Sequence, residues 1–265
     1  MTDILKSVRR IVVKVGSSIL VENEEIASHR VTELCKFLAD LRTRYEVILV
    51  TSGAVACGHT TKVMDKSSPA NKQALAAVGQ PMLMHMYSTE FQKHNILCAE
   101  MMLSSYDLDS GKRTDSARRA IDALLKHSVL PIINENAATA VPEFDFGDND
   151  RLSAAVAHNF NAGLLVILSD IDGYYTAHPH ICKDAKVRRV VHKIDPADLV
   201  AEATPNNRFA TGGIVTKLQA AQYLLEMGEK MYLSSGFQLE KIRPFLLGGR
   251  HEIGTLFLPS GMNYP

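Results

Sequence analysis

The sequence predicts an α/β fold, an open and mainly parallel sheet wound in both directions with helices on both faces. Three observations carry this expectation. Short runs that are apolar nearly throughout and rich in β-branched residues recur along the chain, the pattern of strands buried on both faces. Between them lie segments with apolar residues at helical spacing. Several runs are followed directly by small or polar residues, as expected at the carboxyl edge of such a sheet, where ligands gather.

The runs are residues 11–15, 47–51, 96–103, 129–133, 164–168 and 231–234. Gly16, Ser17 and Ser18 follow the first, with Lys14 read as ending that strand. Ser52, Gly53 and Ala54 follow the second, Asn134, Glu135 and Asn136 the fourth, and Ser169 and Asp170 the fifth. Helical spacing appears at Ala117, Ile121 and Leu124, at Leu152, Ala155, Val156 and Asn159, and at Ile214, Leu218, Ala221 and Leu225. The polar stretch 183–193 reads as a solvated loop or edge hairpin, because Asp184 and Asp195 flank its cations and no aromatic residue interleaves.

A chain of 265 residues can bury one large core. With neither repeats nor a Pro/Gly-rich linker, one domain is expected over residues 1–258, and residues 259–265 form a short tail. The 29 Lys and Arg balance 29 Asp and Glu, so bulk charge attracts neither nucleic acid nor an acidic membrane, and any phosphate site must be local. No run reaches the ~20 apolar residues that cross a bilayer, and no signal peptide is legible at the amino terminus. Cys35, Cys57, Cys98 and Cys182 are scattered without CxxC spacing and read as reduced thiols in a cytoplasmic protein. His178, His180 and Cys182 lack the second half of a metal site, and no protein metal ligand is assigned.

Neither a GxxxxGK[ST] loop nor a GxGxxG after a strand is present, so phosphates must be held in another way. A lysine ending a strand is ordinarily a surface residue. Lys14, however, stands among Val12, Val13 and Val15, where a charge needs an anionic partner, and a bound phosphate would serve. Gly16 just beyond it lets backbone approach a ligand closely. Lys217 follows the pair Gly212-Gly213 near the start of a helical segment. It reads either as an exposed first-turn lysine or as a cation held there by an anion, since the helix dipole alone disfavours it. Gly147, Asp148, Asn149 and Asp150 precede another helix, and capping explains one polar residue there but not three. A carboxylate at Asp150 between the two lysines would hold both ammonium groups in place. Phosphoryl transfer asks for such positioning and charge neutralisation rather than covalent participation. An ionised carboxylate acceptor would need no general base.

These residues, in this order, resemble the glutamate 5-kinases of the amino-acid kinase family along nearly the whole chain. The resemblance rests on residues 13–18, 50–56, 72–80, 131–136, 147–150, 170–175 and 211–220. It implies a three-layer α/β/α sandwich and transfer of the terminal phosphoryl group of ATP, with Mg2+, to the side-chain carboxylate of L-glutamate. That reaction opens proline biosynthesis. The resemblance further implies a homo-oligomer and proline as a feedback inhibitor. By the same likeness Lys14, Lys217 and Asp150 are catalytic. Lys14, Ser169, Asp170, Thr211, Gly212, Gly213 and Lys217 would hold the nucleotide, and Ser52, Gly53, Asn134, Asn149 and Asp150 the glutamate.

The chain departs from the family pattern at three places. Ala137 stands where the family has Asp after Asn-Glu-Asn, Ala210 replaces a glycine, and Ser116 stands for an asparagine before Ala117-Arg118. Loss of the carboxylate at Ala137 removes a contact worth roughly 1.5–3 kcal/mol to the substrate's ammonium group unless Asp148 or Glu135 replaces it. The chain is expected to be the minimal kinase domain, without the RNA-binding-type PUA domain of longer members. Two other readings remain open from sequence. One is a related kinase acting on a different small carboxylate, and the other is a weakly active kinase fold that senses a ligand.

Overall fold

The computed structural model describes residues 3–139, 149–177, 182–200, 213–262 and 264. The chain enters through α1 (Asp3–Lys6) and β1 (Arg10–Val15), then turns through α2 (Ser17–Leu20) and a small hairpin of β2 (Val21–Glu22) and β3 (Glu25–Ile26). Next come α3 (Ser28–Leu41), β4 (Glu46–Val50), α4 (Ala54–Thr61), α5 (Pro69–Gln92) and β5 (Cys98–Leu103). The middle consists of α6 (Ser105–Asp109), α7 (Gly111–Lys126), β6 (Leu130–Glu135), α8 (Asn149–Asn159) and β7 (Leu164–Ser169). The last part holds β8 (Val190–Val191), a 3-10 turn (Pro196–Leu199), α9 (Ile214–Glu226), β9 (Met231–Ser235), α10 (Leu239–Gly248) and β10 (Thr255–Phe257).

The main sheet has eight strands in the order β5-β6-β4-β1-β7-β9-β10-β8. Strands β5, β6, β4, β1, β7 and β9 run the same way, so their carboxyl ends share one edge. Strand β10 runs against β9 and carries β8 at the rim. Alternation along β1 divides the core. Ile11, Val13 and Val15 face a layer containing α3, α5 and α10, whereas Val12 faces the layer of α7, α8 and α9. The expected mainly parallel α/β/α sandwich is what forms.

Several strand boundaries differ from the sequence reading. Lys14 is the penultimate residue of β1 rather than its end, because the ladder with β7 continues through Val15 and Leu168. Asn134 and Glu135 lie within β6, paired with Met102 and Leu103, and Ser169 is the last residue of β7, paired with Ser235. Strand β5 starts at Cys98, two residues later than the apolar run. The polar stretch 183–193 takes the edge-hairpin form of the two expected, with Val187 bridging antiparallel to Tyr175 and β8 at the rim of the sheet.

Two glycines set the geometry beside β4. A Cβ on Gly79 would lie 1.8 Å from the Ala54 carbonyl oxygen, and one on Gly58 would lie 2.1 Å from that of Leu75. Helices α4 and α5 therefore cross backbone to backbone. Gly53, which precedes α4, has φ +106°, a left-handed conformation that favours glycine. Together these fix the loop through Ser52 at the carboxyl end of β4.

Near the carboxyl end of the chain, Tyr264 packs edge-on against His251, and the His251 backbone N–H donates to its hydroxyl at 3.2 Å. Among the described residues no helix is long and apolar enough to cross a membrane. The four cysteines are unbridged, and burial pushes the Cys57 thiol up to about 11.

Candidate active site

Two helices and one central strand meet at the carboxyl edge of the sheet. Lys14 alternates away from Val13 and Val15, which turns it toward α8. Asp150 sits in the first turn of α8, and Lys217 in the first turn of α9. Their relative exposures are 5% for Lys14, 0% for Asp150 and 4% for Lys217. Charges so deeply buried persist only when paired.

They are paired with one another. Lys14 Nζ donates to Asp150 Oδ1 at 2.5 Å, and Lys217 Nζ donates to Oδ2 at 3.0 Å. The Thr216 hydroxyl lies 3.0 Å from the same Oδ2 and 2.9 Å from the Gly213 carbonyl oxygen, which ties the start of α9 to the carboxylate. Burial acts to raise the Asp150 pKa, but the ammonium groups of Lys14 and then Lys217 outweigh it and hold the carboxyl below its ordinary range. The exposed-lysine reading of Lys217 is thereby corrected. The place of Gly16 is consistent with close approach, since a Cβ there would come within 4.0 Å of Lys14 Nζ.

A second, uncharged network adjoins the first through the neighbouring residue of α8. Asn149 Nδ2 faces three acceptors: the Thr51 carbonyl oxygen, the Ser52 hydroxyl at 3.0 Å and Asn134 Oδ1 at 2.9 Å. Asn134 Nδ2 in turn donates to Gln80 Oε1 at 2.8 Å, and the Thr51 hydroxyl bonds to that of Tyr87 at 2.7 Å. Thus β4, β6, α5 and α8 converge on one polar corner. On the other side of β1, Ser169 donates to Asp170 Oδ1 at 2.9 Å. Gly16 is tied to this strand end through its N–H, which donates to the Leu168 carbonyl oxygen at 3.1 Å.

Both sides of the edge are therefore furnished, with paired lysines at the centre. A cavity at the opposite, amino-terminal edge, lined by Arg9, Arg10, Glu46, Asp122 and Lys126, has much of its charge already matched. Its Arg10 is held by Glu46, Asp122 and the Phe160 carbonyl oxygen.

Residues 9–235 match the model of the amino acid kinase family. The chain belongs to that family. Among its relatives, a glutamate 5-kinase of Leishmania donovani is 72% identical over 257 residues, covering 97% of this chain and 98% of the relative. A glutamate 5-kinase of Wolinella succinogenes is 56% identical, over 96% of this chain and 99% of the relative. A longer glutamate 5-kinase, from Trichlorobacter lovleyi, is 41% identical, and the match spans 70% of its length. Among solved structures, a Giardia lamblia carbamate kinase bound to AMP-PNP superposes with a TM-score of 0.64 at 15% identity, over 96% of this chain and 99% of that one. A T. acidophilum isopentenyl phosphate kinase gives 0.63 at 15%, over 94% and 99%. At such identities these two speak for the fold alone, and the fold they share is that of the amino acid kinases.

Within this amino acid kinase, the structure brings most of the sequence-derived site together. Lys14, Asp150 and Lys217 touch, and so do Ser52, Asn134 and Asn149. Gly53 and Gly213 stand at the N-termini of α4 and α9. Ser169 and Asp170 lie at the end of β7, without a direct bond to the lysine pair among the described residues. Thr211, Gly212, Gly147 and Asp148 lie outside the described residues, as do Ala210, His178 and His180. Ala137 packs half-buried against the core, and its N–H turns back to the Glu135 carbonyl oxygen at 2.8 Å.

Sequence reasoning missed Thr216, Gln80 and Tyr87 as members of these networks, and Glu100, whose Oε1 accepts from Gln80 Nε2 at 2.5 Å. Thr216 stands next to Lys217 and Gln80 closes the motif 72–80, so adjacency was the available signal for both. Tyr87 and Glu100 carried none.

Proposed function

We infer that this protein is a glutamate 5-kinase: it transfers the terminal phosphoryl group of ATP to the side-chain carboxylate of L-glutamate, giving ADP and L-glutamyl 5-phosphate, the first step of proline biosynthesis. The observation that carries the reading is one fully buried carboxylate, Asp150, gripping lysines from opposite sides beside a polar corner, in a chain 72% identical to a named glutamate 5-kinase.

The chemistry follows from charge. The transferred group spreads negative charge over its outer oxygens while entering and leaving oxygens stand in line. Lys14 and Lys217 neutralise that charge from two elements, and Asp150 holds both ammonium nitrogens so that little reorganisation is needed during transfer. A side-chain carboxylate is already a competent nucleophile at neutral pH, so Asp150 is not asked to act as a base. Ser52, Gly53, Asn134 and Asn149, with Asp150, form the glutamate side. Ser169, Asp170 and the segment from Thr211 to Lys217 form the nucleotide side.

Magnesium, when bound, would neutralise charge on the phosphates. No group of three or more His, Cys, Asp or Glu residues gathers among the described residues, and both Asp150 oxygens are taken by the lysines and Thr216. A magnesium ion held mainly by nucleotide oxygens fits this donor set. By the same reading the protein is cytoplasmic, a homo-oligomer and subject to feedback inhibition by proline. Sedimentation and a proline titration of the rate test the last two.

The deciding experiment is a coupled assay of ADP release with glutamate, aspartate, N-acetylglutamate, carbamate and UMP as separate acceptors. Turnover with glutamate is expected. Turnover on another acceptor with none on glutamate would sink the assignment.

A further inference from the structure

Gln80 is buried, polar and so far without a task. It belongs to α5, held against α4 by the glycine crossing, and its side chain links the polar corner to the outer strand β5. Gln80 Nε2 donates to Glu100 Oε1 at 2.5 Å, Asn134 Nδ2 donates to Gln80 Oε1 at 2.8 Å, and Asn149 Nδ2 donates to Asn134 Oδ1 at 2.9 Å. The backbone N–H of Glu135 also donates to Asn134 Oδ1, at 2.9 Å.

We propose that Gln80 and Glu100 are positioning residues for glutamate, the outer links of a one-way hydrogen-bond chain that turns the Asn149 amide so that its oxygen is offered to the substrate's ammonium group. This rests on the assignment of Asn134 and Asn149 to the glutamate side. The direction of the chain is set at its ends. A carboxylate only accepts, so Glu100 draws the NH2 of Gln80 toward itself and leaves the Gln80 oxygen facing Asn134. Asn134 must then present its NH2 to Gln80 and its oxygen inward, where the Glu135 N–H pins it. Flipping any amide in the middle would set two NH2 groups or two oxygens against each other in a buried place, at the cost of unmade hydrogen bonds.

At the inner end the polarity reaches Asn149. Three acceptors, the Thr51 carbonyl oxygen, the Ser52 hydroxyl and Asn134 Oδ1, surround its Nδ2. Its Oδ1 has no hydrogen-bond partner among the described residues. An amide oxygen next in sequence to a buried carboxylate suits a cation, and the cation glutamate carries is its ammonium group.

The test uses the full chain and four variants: Glu100→Gln, Gln80→Leu, the swap Gln80→Glu with Glu100→Gln, and Asn149→Ala as control. KM for glutamate, KM for ATP, kcat and the unfolding temperature are measured for each. Glu100→Gln removes the carboxylate that fixes the outer end and leaves the direction to the Glu135 N–H and the Thr51 carbonyl oxygen, so it should raise the glutamate KM about three-fold, and Gln80→Leu about ten-fold, with KM for ATP unchanged. The swap moves the carboxylate one link inward. Placed at position 80, it would accept both from Asn134 and from the new amide at position 100, so the glutamate KM should return toward the wild-type value, a rescue that a merely structural role would not produce. The proposal is overturned if Asn149→Ala raises the glutamate KM while Glu100→Gln and Gln80→Leu leave it unchanged, or if the swap is no better than Glu100→Gln alone. An unchanged glutamate KM in Asn149→Ala would overturn the pocket assignment together with the chain that depends on it.

Discussion

At Asp150 a single carboxylate faces two ammonium groups with almost no access to water. Replacing it with asparagine keeps the shape and removes the charge that lets both lysines stay buried. The expected loss is about 3–5 kcal/mol, the range for breaking a buried pair. The depressed pKa adds a pH signature. The folded state gives up this proton more readily than the unfolded chain, so the stabilisation is complete above the unfolded carboxyl's pKa of about 3.9 and drains away as pH falls through the lower folded value. Denaturant titrations between neutral and acid pH should therefore show a smaller acid loss of stability in Asp150→Asn than in the wild type, and equal losses would contradict the pairing. Lys217→Ala tests the other end. In the proposed reaction its charge acts chiefly on the transferring group, so kcat should fall at least about a hundred-fold while KM for ATP changes far less. An unchanged kcat would remove Lys217 from the chemistry. That Lys14 and Lys217 call for an anionic partner was legible in the sequence because each cation was out of place in its local pattern, and Asp150 is the anion the fold brings to both. The links through Thr216 and Gln80 were not, since they depend on which strand ends meet.

Elements were legible where burial on both faces forced an apolar run, as in β1, β4 and β7, and where a helix needed one apolar stripe, as in α9. Their ends were less so. Asn134 and Glu135 look like loop residues, yet pairing with Met102 and Leu103 extends β6 through them, and ladder partners are not written locally. Strands β8 and β10, of two and three residues, exist through their pairing with β9 and with each other, which no short window reveals. The crossing of α4 and α5 is the element-scale feature with the most consequence for the site, because it sets the loop carrying Ser52 and Gly53. Gly79→Ala would push a methyl group into the Ala54 carbonyl, which neither backbone can yield without separating the helices. Destabilisation of about 3 kcal/mol or more is expected, with a higher glutamate KM in whatever protein folds. Calorimetry with steady-state kinetics checks both, and a variant as stable and as tight-binding as the wild type would show that the crossing relaxes without moving the loop.

For the whole molecule, the order of strands explains why two substrates can meet on one edge. Strand β1 is central, with β4 and β6 to one side bearing Ser52 and Asn134, and β7 and β9 to the other bearing Ser169 and Ser235. Helix α8 spans the division, bonding to Ser52 and Asn134 through Asn149 and to both lysines through Asp150. The folded state alone assembles Lys14 from β1 and Lys217 from α9, so a polyphosphate that needs both should bind the folded chain and not the unfolded one. At one hundred times its dissociation constant, a non-hydrolysable ATP analogue with magnesium stabilises by about 2.7 kcal/mol, which in a chain of this size raises the Tm by roughly 5–10 °C. Lys14→Met should cut that rise sharply at the same analogue concentration, and Lys217→Met by much less because its charge acts chiefly during transfer, whatever their effect on the ligand-free Tm. An equal rise in wild type and Lys14→Met would mean that the nucleotide's phosphates do not reach the lysine pair, and the transfer geometry would have to be sought elsewhere along the same edge.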